Sequence, residues 1–276
     1  MNSVVIKERS MDMPMTSFQE MLDNEKPVIG MVHLAALPGA PHYENDMDAI
    51  AERARQDLDA LLAGGIDAVI VENFGDVPYA PKNELITYSA MSALVAKLRD
   101  ACSVPMGVNV QFNDCEAEWA IAYATGCDFI RVEVLAENRM GPNGVFTAAG
   151  PELARLRRKY PADIAVLADL QVKHTFPWVE QPVDFTVEAM REAGADAIIC
   201  TGLVTGSSPT LEDVRTVKQH ADTCPVLVGS GTNACTLSDY LSVADGVIVG
   251  SSIKVDGVVE NAVDTDRVRE LMAAKA

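Results

Sequence analysis

Residues 46–73 read DMDAIAERARQDLDALLAGGIDAVIVEN, a helix, a turn and a strand in immediate succession. Met47, Ile50, Ala51, Ala54, Leu58, Leu61 and Leu62 follow i, i+3, i+4, i+7 spacing, which predicts a helix over 46–63 with one apolar stripe. The AGGID phrase then supplies a glycine able to take the left-handed C-cap and an aspartate that opens the next strand. That strand, DAVIVEN over 67–73, is almost continuously apolar, as expected of a parallel strand buried on both faces. Equivalent joints stand at 125–128 (TGCD), 193–196 (AGAD) and 243–246 (VADG), so one strand–helix unit recurs along the chain.

Similar Val- and Ile-rich runs are PVIGMVH (27–33), PMGVNVQ (105–111), DFIRVEV (128–134), IAVLADL (164–170), DAIICTG (196–202), PVLVGSG (225–231) and GVIVGSS (246–252). Helical patterns at 84–100, 114–124, 148–159, 182–193, 210–220, 235–243 and 264–274 complete the alternation. Eight units with no linker between halves predict an α/β fold, a closed (β/α)8 TIM barrel rather than a doubly wound open sheet. A chain of 276 residues suits one such domain, assigned to 27–276. In the N-terminal segment, 1–26, Ser17-Phe18-Gln19-Glu20 is a capping-box pattern ahead of Met21 and Leu22, predicting a short helix that caps the barrel bottom.

The 22 Lys and Arg against 40 Asp and Glu give a net charge of −18, which leaves no basic stripe for a phosphate backbone and excludes nucleic acid as an expected partner. An anionic ligand must instead be held locally, by backbone amides and a few placed cations. The six cysteines form no C-x-x-C pair and read as reduced core thiols. No uncharged run approaches the roughly 18 residues of a spanning helix, and the N-terminus has no continuous apolar leader. The expectation is a cytoplasmic protein without an integral membrane segment, with a homo-oligomer left open.

Barrel active sites lie at the C-terminal ends of the strands, where His33, Glu72, Asn109, Arg131, Glu133, Asp169 and Thr201 fall. Arg131 and Glu133 are two apart and share one face of their strand; charge is too costly against apolar helices, so both are expected in the barrel mouth. Glu72, Glu133 and Asp169 are candidates for general acid/base work, or with His33 for holding a divalent cation, and no other cofactor is called for. His33, Asn109, Arg131 and Thr201 are the substrate-binding candidates, although Arg131 reads equally as the structural partner of Glu133 or Asp169. Lys173, in the loop DLQVKH, could be an electrophile, a Schiff-base amine, a cation for substrate oxygens or a solvated side chain.

The strongest local feature is the pair VLVGSGTN (226–233) and ADGVIVGSSIKVDG (244–257). Gly229, Ser230, Gly231, Gly250, Ser251 and Ser252 let backbone amides converge after the last two strands, the usual phosphate position of such barrels, and Lys254 could add a point charge. The plainer alternative is that these glycines only make tight turns. The Pro- and Gly-rich loops at 37–45 and 75–84 are long enough to act as lids over the mouth.

PVIGMVHLAALPGAPHY at 27–43, VENFGDVPY at 71–79, the Asn109 strand, Asp169 to His174, VGSGTN and VIVGSSIKVDG together resemble the BtpA/SgcQ family over nearly the whole chain from about residue 27. The resemblance implies a ribulose-phosphate-binding-type barrel without an assigned reaction. It links the name-giving member to photosystem I biogenesis at the thylakoid surface, and SgcQ-like members to carbohydrate-utilisation gene groups. Two functions are therefore expected in competition. One is an enzyme of a phosphorylated sugar or related small metabolite; the other is a noncatalytic assembly factor, which predicts an exposed apolar patch or an amphipathic anchor.

Overall fold

The computed structural model describes residues 17–201 and 208–275. Its strands are β1 (Val28–His33), β2 (Ala68–Glu72), β3 (Met106–Asn109), β4 (Phe129–Val132), β5 (Arg139–Gly141), β6 (Gly144–Phe146), β7 (Ala165–Leu170), β8 (Phe176–Pro177), β9 (Ala197–Cys200), β10 (Val226–Val228) and β11 (Gly246–Val249). The helices are α1 (Ser17–Asn24), α2 (Met47–Gly64), α3 (Leu85–Ala101), α4 (Cys115–Thr125), α5 (Gly150–Lys159), α6 (Val183–Glu192), α7 (Leu211–Ala221), α8 (Leu237–Leu241) and α9 (Thr265–Ala273). Eight strands close a parallel barrel in the order β1-β11-β10-β9-β7-β4-β3-β2. This is the TIM barrel expected from the alternation, with helices between the strands.

Alternation along each strand divides the interior in two. Ile29, Met31, Ile70, Phe129, Leu167, Ile199, Leu227 and Ile248 fill the barrel, while Val28, Val69, Val108, Ile130, Val166, Ile198 and Val247 face the helices. Phe18 and Leu22 of α1 join the barrel-filling cluster, and the Phe18 ring stacks on Phe129 at 4.1 Å. Residues 1–16 lie outside the described residues, so of the first segment the structure describes only Ser17 onward.

The recurring joints work as read, with an added function for the aspartate. Gly65 takes φ +86° and its N–H caps α2 at Leu61 and Leu62, a conformation that glycine adopts without penalty. Asp67 accepts from Val28 N (2.7 Å), Asp128 from Met106 N (2.8 Å), Asp196 from Val166 N (2.8 Å) and Asp245 from Val226 N (2.7 Å). Each carboxylate thus clasps the start of the preceding barrel strand. Each also meets a cation: Lys275, Arg99, Arg157 and Lys218 respectively.

A feature absent from the sequence reading is a small antiparallel sheet, β6-β5-β8, formed by the excursions after β4 and β7. Arg139, 4% exposed, fastens it by donating to Thr175 Oγ1 (2.6 Å), Thr175 O (3.2 Å) and Glu137 (2.6 Å). Its outer face carries Met140, paired across the strands with Val145 and Phe176, all exposed. None of the cysteines forms a disulfide; Cys115, Cys127 and Cys200 are buried as expected, but Cys235 is exposed.

Candidate active site

Parity brings the polar ends of the strands together. His33, Glu72 and Asn109 stand side by side in register on β1, β2 and β3, and Arg131 and Glu133 follow at the top of β4. They frame a mouth with two connected lobes. The larger, about 600 Å³, is lined by His33, Glu72, Arg131, Lys173 and the loops Gly229–Asn233 and Gly250–Ser252. The smaller, about 340 Å³, shares Glu72, Arg131, Lys173, Gly229 and Ser230 and adds Tyr79, Phe112, Glu133, Val172 and Thr201.

Arg131 resolves into the paired form. Its guanidinium donates two hydrogen bonds to Asp169 (3.1 and 3.2 Å), and the Asp169 side chain is completely buried beneath it. Burial works against the charge on Arg131, but Asp169 and Glu72 outweigh it and hold the guanidinium charged. Asp169 is therefore a support for Arg131, which itself lines both lobes. Glu72 is the acid that lines both lobes of the mouth without an ion-pair partner as close as that of Asp169. Burial pushes its pKa above the usual carboxylate range, with Arg131 pulling the other way, which favours a carboxyl that can hold a proton.

His33 is neutral: burial, then Lys254 and Arg131, push its pKa down to about 3. Its Nε2 lies 3.8 Å from Glu72 Oε1, too far and too uncharged for an ion pair, and among the described residues its buried Nδ1 has no hydrogen-bond partner. Lys173 lines both lobes, and among the described residues its ammonium enters no ion pair. Burial and the neighbouring Arg131 lower its pKa, which favours the free amine.

Two candidates turn away from the mouth. Lys254 is 1% exposed and donates to the equally buried Asp57 of α2 at 2.7 Å, so it cannot reach a ligand in the cradle. The reason is that the chain leaves β11 in 3₁₀ turns (Ser251–Ile253, then Val255–Gly257), which rotates Lys254 toward the helix layer. Asn109 is committed internally, its amide donating to Glu118 Oε1 (3.0 Å), Glu133 Oε1 (3.0 Å) and Arg131 O (3.1 Å). Glu118, from the first turns of α4, was not read from the sequence. Its signal is a carboxylate on the buried stripe of Cys115, Trp119 and Ala122, and burial together with the charge of Glu133 raises its pKa well above the carboxylate range. Burial raises Glu133 likewise.

The six glycine and serine candidates all line the larger lobe. Among the described residues the backbone N–H groups of Gly231, Thr232, Ser251 and Ser252 donate to no protein acceptor, and the buried Ser252 Oγ has no partner. Gly231 has φ +77°, where a side chain would also run into Ser208, so glycine is required there. The 75–84 loop contributes Tyr79 to the mouth and is pinned by Lys82 to Asp114 (2.7 Å). Among the described residues no group of three or more His, Cys, Asp or Glu is arranged to hold a metal ion, and no helix is long and apolar enough to cross a membrane.

The profile of the BtpA family matches residues 24–276. The sequence is 39% identical over 260 residues to the photosystem I biogenesis protein BtpA of Synechocystis sp., covering 93% of this chain and 90% of that one. It is 40% identical over 247 residues to an uncharacterised protein of Thermococcus kodakarensis, covering 90% and 94%. Among solved structures, the N-(5'-phosphoribosyl)anthranilate isomerase of Pyrococcus furiosus is similar with a TM-score of 0.52 and 15% identity, covering 90% of this chain and 97% of that one. A likeness at that identity extends to the barrel fold alone.

Proposed function

The chain belongs to the BtpA family, and from the mouth of its barrel we propose that it is an enzyme acting by acid/base chemistry on a phosphorylated sugar or related small metabolite. The observation that carries this is the larger lobe. Among the described residues, four backbone N–H groups without a protein acceptor lie in the loops after β10 and β11, in a lobe they share with a buried carboxyl, a charged guanidinium and a lysine. Glu72 moves the proton, Lys173 stabilises developing negative charge, and Arg131, held by Asp169, orients substrate oxygens. His33 serves as a neutral hydrogen-bonding group, Glu133 contacts the end of the substrate away from the phosphate, and Thr201 contacts it beside the cradle.

Thermal unfolding with inorganic phosphate and sugar phosphates tests this. A ligand at 100 times its Kd should stabilise by about 2.7 kcal/mol. Ser251→Asp places a carboxylate in the cradle at an exposed position, so it should abolish the shift without lowering the basal midpoint, whereas Ser251→Asn should keep most of it. A full shift in Ser251→Asp, or none in the wild type with any phosphate, would reject the reading.

A second reading has its own support. Val145, Met140 and Phe176 form a continuous apolar row on the outer sheet, and Trp178 and Val179 next to it are 60% and 65% exposed. Such a patch fits a partner-binding or assembly role like that named for the Synechocystis relative.

A further inference from the structure

The side of the mouth across from the glycine-rich loops holds groups that a proton step at Glu72 does not use. Tyr79 follows β2, Phe112 follows β3 and Glu133 follows β4, whereas the cradle follows β10 and β11. In the closed strand order β3 stands four places from β10, and β4 four places from β11. In an eight-stranded ring those positions are diametrically opposed, so a ligand touching both must span the mouth.

The far lobe is built for a ring. Phe112 stacks on the buried Phe146 (centroids 4.6 Å, planes 24° apart), and Tyr79 tilts against Phe112 at 5.2 Å. Tyr79 is fixed in turn by donating its hydroxyl to Phe74 O (2.8 Å). The aromatic wall is therefore braced from behind and preorganised. Thr201, 2% exposed, lines the same lobe at its cradle end, where its carbonyl accepts from Ser230 Oγ (2.9 Å), and among the described residues its Oγ1 has no hydrogen-bond partner, which is costly in a buried site unless a ligand supplies one. Glu133 lines it too, with each carboxyl oxygen already holding one donor, Asn109 on Oε1 and Asn113 N on Oε2.

We propose that this lobe is a ring subsite that takes a planar, unsaturated ring bearing one or two polar atoms, joined by a spacer of sugar length to the phosphate across the mouth. The substrate class is then a glycosyl phosphate carrying a heteroaromatic or unsaturated ring. This rests on the phosphate reading of the larger lobe. An open-chain sugar phosphate would occupy the cradle and leave the Phe112 and Tyr79 wall facing water, whereas a ring stacks on it and offers a partner to Thr201.

Titration calorimetry with inorganic phosphate, ribose 5-phosphate, uridine and uridine 5′-monophosphate tests the subsite. The nucleotide should bind at least about fivefold more tightly than ribose 5-phosphate, the low end of what ring stacking on an aromatic side chain supplies. Phe112→Ala should remove that advantage and Thr201→Val reduce it, with inorganic phosphate binding unchanged in both. Equal affinity for the nucleotide and ribose 5-phosphate overturns the ring subsite and leaves the phosphate reading standing. Phe112-dependent binding of uridine with no binding of any phosphate keeps the subsite and overturns the phosphate reading; binding of no probe overturns both. Where Phe112→Ala does not fold, Thr201→Val decides, and an undiminished nucleotide advantage in that variant overturns the proposal.

Discussion

Lys254 separates a ligand-binding role from a structural one, and the two make opposite predictions for Lys254→Met. Its ammonium is buried against Asp57, which accepts three bonds: from Lys254 Nζ (2.7 Å), Val263 N (2.8 Å) and Arg53 Nε (3.2 Å). Removing the ammonium leaves Asp57 with two donors, so Lys254→Met should cost about 1.5–3 kcal/mol, the value of one hydrogen bond to a charged group. Asp57→Leu is worse because it strands a buried cation, about 3–5 kcal/mol. At about 2 °C per kcal/mol for a chain of this size, its midpoint should fall by roughly 6–10 °C. The double variant Asp57→Leu/Lys254→Met removes both charges and should recover much of that loss. Urea unfolding of the three variants, with phosphate titration of each, gives the result. Should Lys254→Met leave the unfolding midpoint in place and weaken phosphate binding tenfold, the assignment of Lys254 to the fold is refuted.

Two more outcomes follow from buried groups. His33 is held at about 3, below its unfolded value of 6.5, so between those pH values the unfolded chain binds a proton that the folded one does not. Its contribution is complete above pH 6.5 and is lost as pH falls, by up to about 1.4 kcal/mol per pH unit. His33→Gln should flatten the urea midpoint between pH 7 and pH 4, and an unchanged slope would contradict the burial argument. At the other end of the barrel, Phe18→Ala empties a fully buried site stacked on Phe129 and should cost about 3–5 kcal/mol in urea unfolding without altering phosphate affinity. A loss below about 1 kcal/mol would mean that α1 contributes little to the interior.

The barrel was legible because its signals are local and repeated. Each strand is a short apolar run, each joint reuses glycine and aspartate, and the period-two rule correctly sent Arg131 and Glu133 into the mouth. That rule ends where the strand ends. Lys254 lies beyond β11 in 3₁₀ turns, and its partner Asp57 is 197 residues away, so no local pattern could have paired them. The sequence poses Glu133 and Asp169 as rival partners for Arg131, and only the packing of adjacent strands decides for Asp169; the capture of Asn109 by Glu118 escaped because it joins a strand end to a helix outside the barrel. The small sheet escaped because its strands are three residues or fewer and only Arg139 and Phe146 among their side chains are buried, leaving no alternating apolar pattern to read.

The four aspartate clasps have a bearing on how the barrel is assembled. They join β1 to β2, β3 to β4, β7 to β9 and β10 to β11, and among the described residues no such carboxylate joins the intervening pairs. At its lower rim the ring is thus four modules of two strands, each pinned within itself and only laddered to its neighbours. The cradle after β10 and β11 belongs to one module, whereas the aromatic wall draws on two. A chain opened between modules, for instance in the excursion between β4 and β7, keeps every clasped pair covalently joined, while one opened inside a module leaves the clasp and the strand ladder to hold its two strands together.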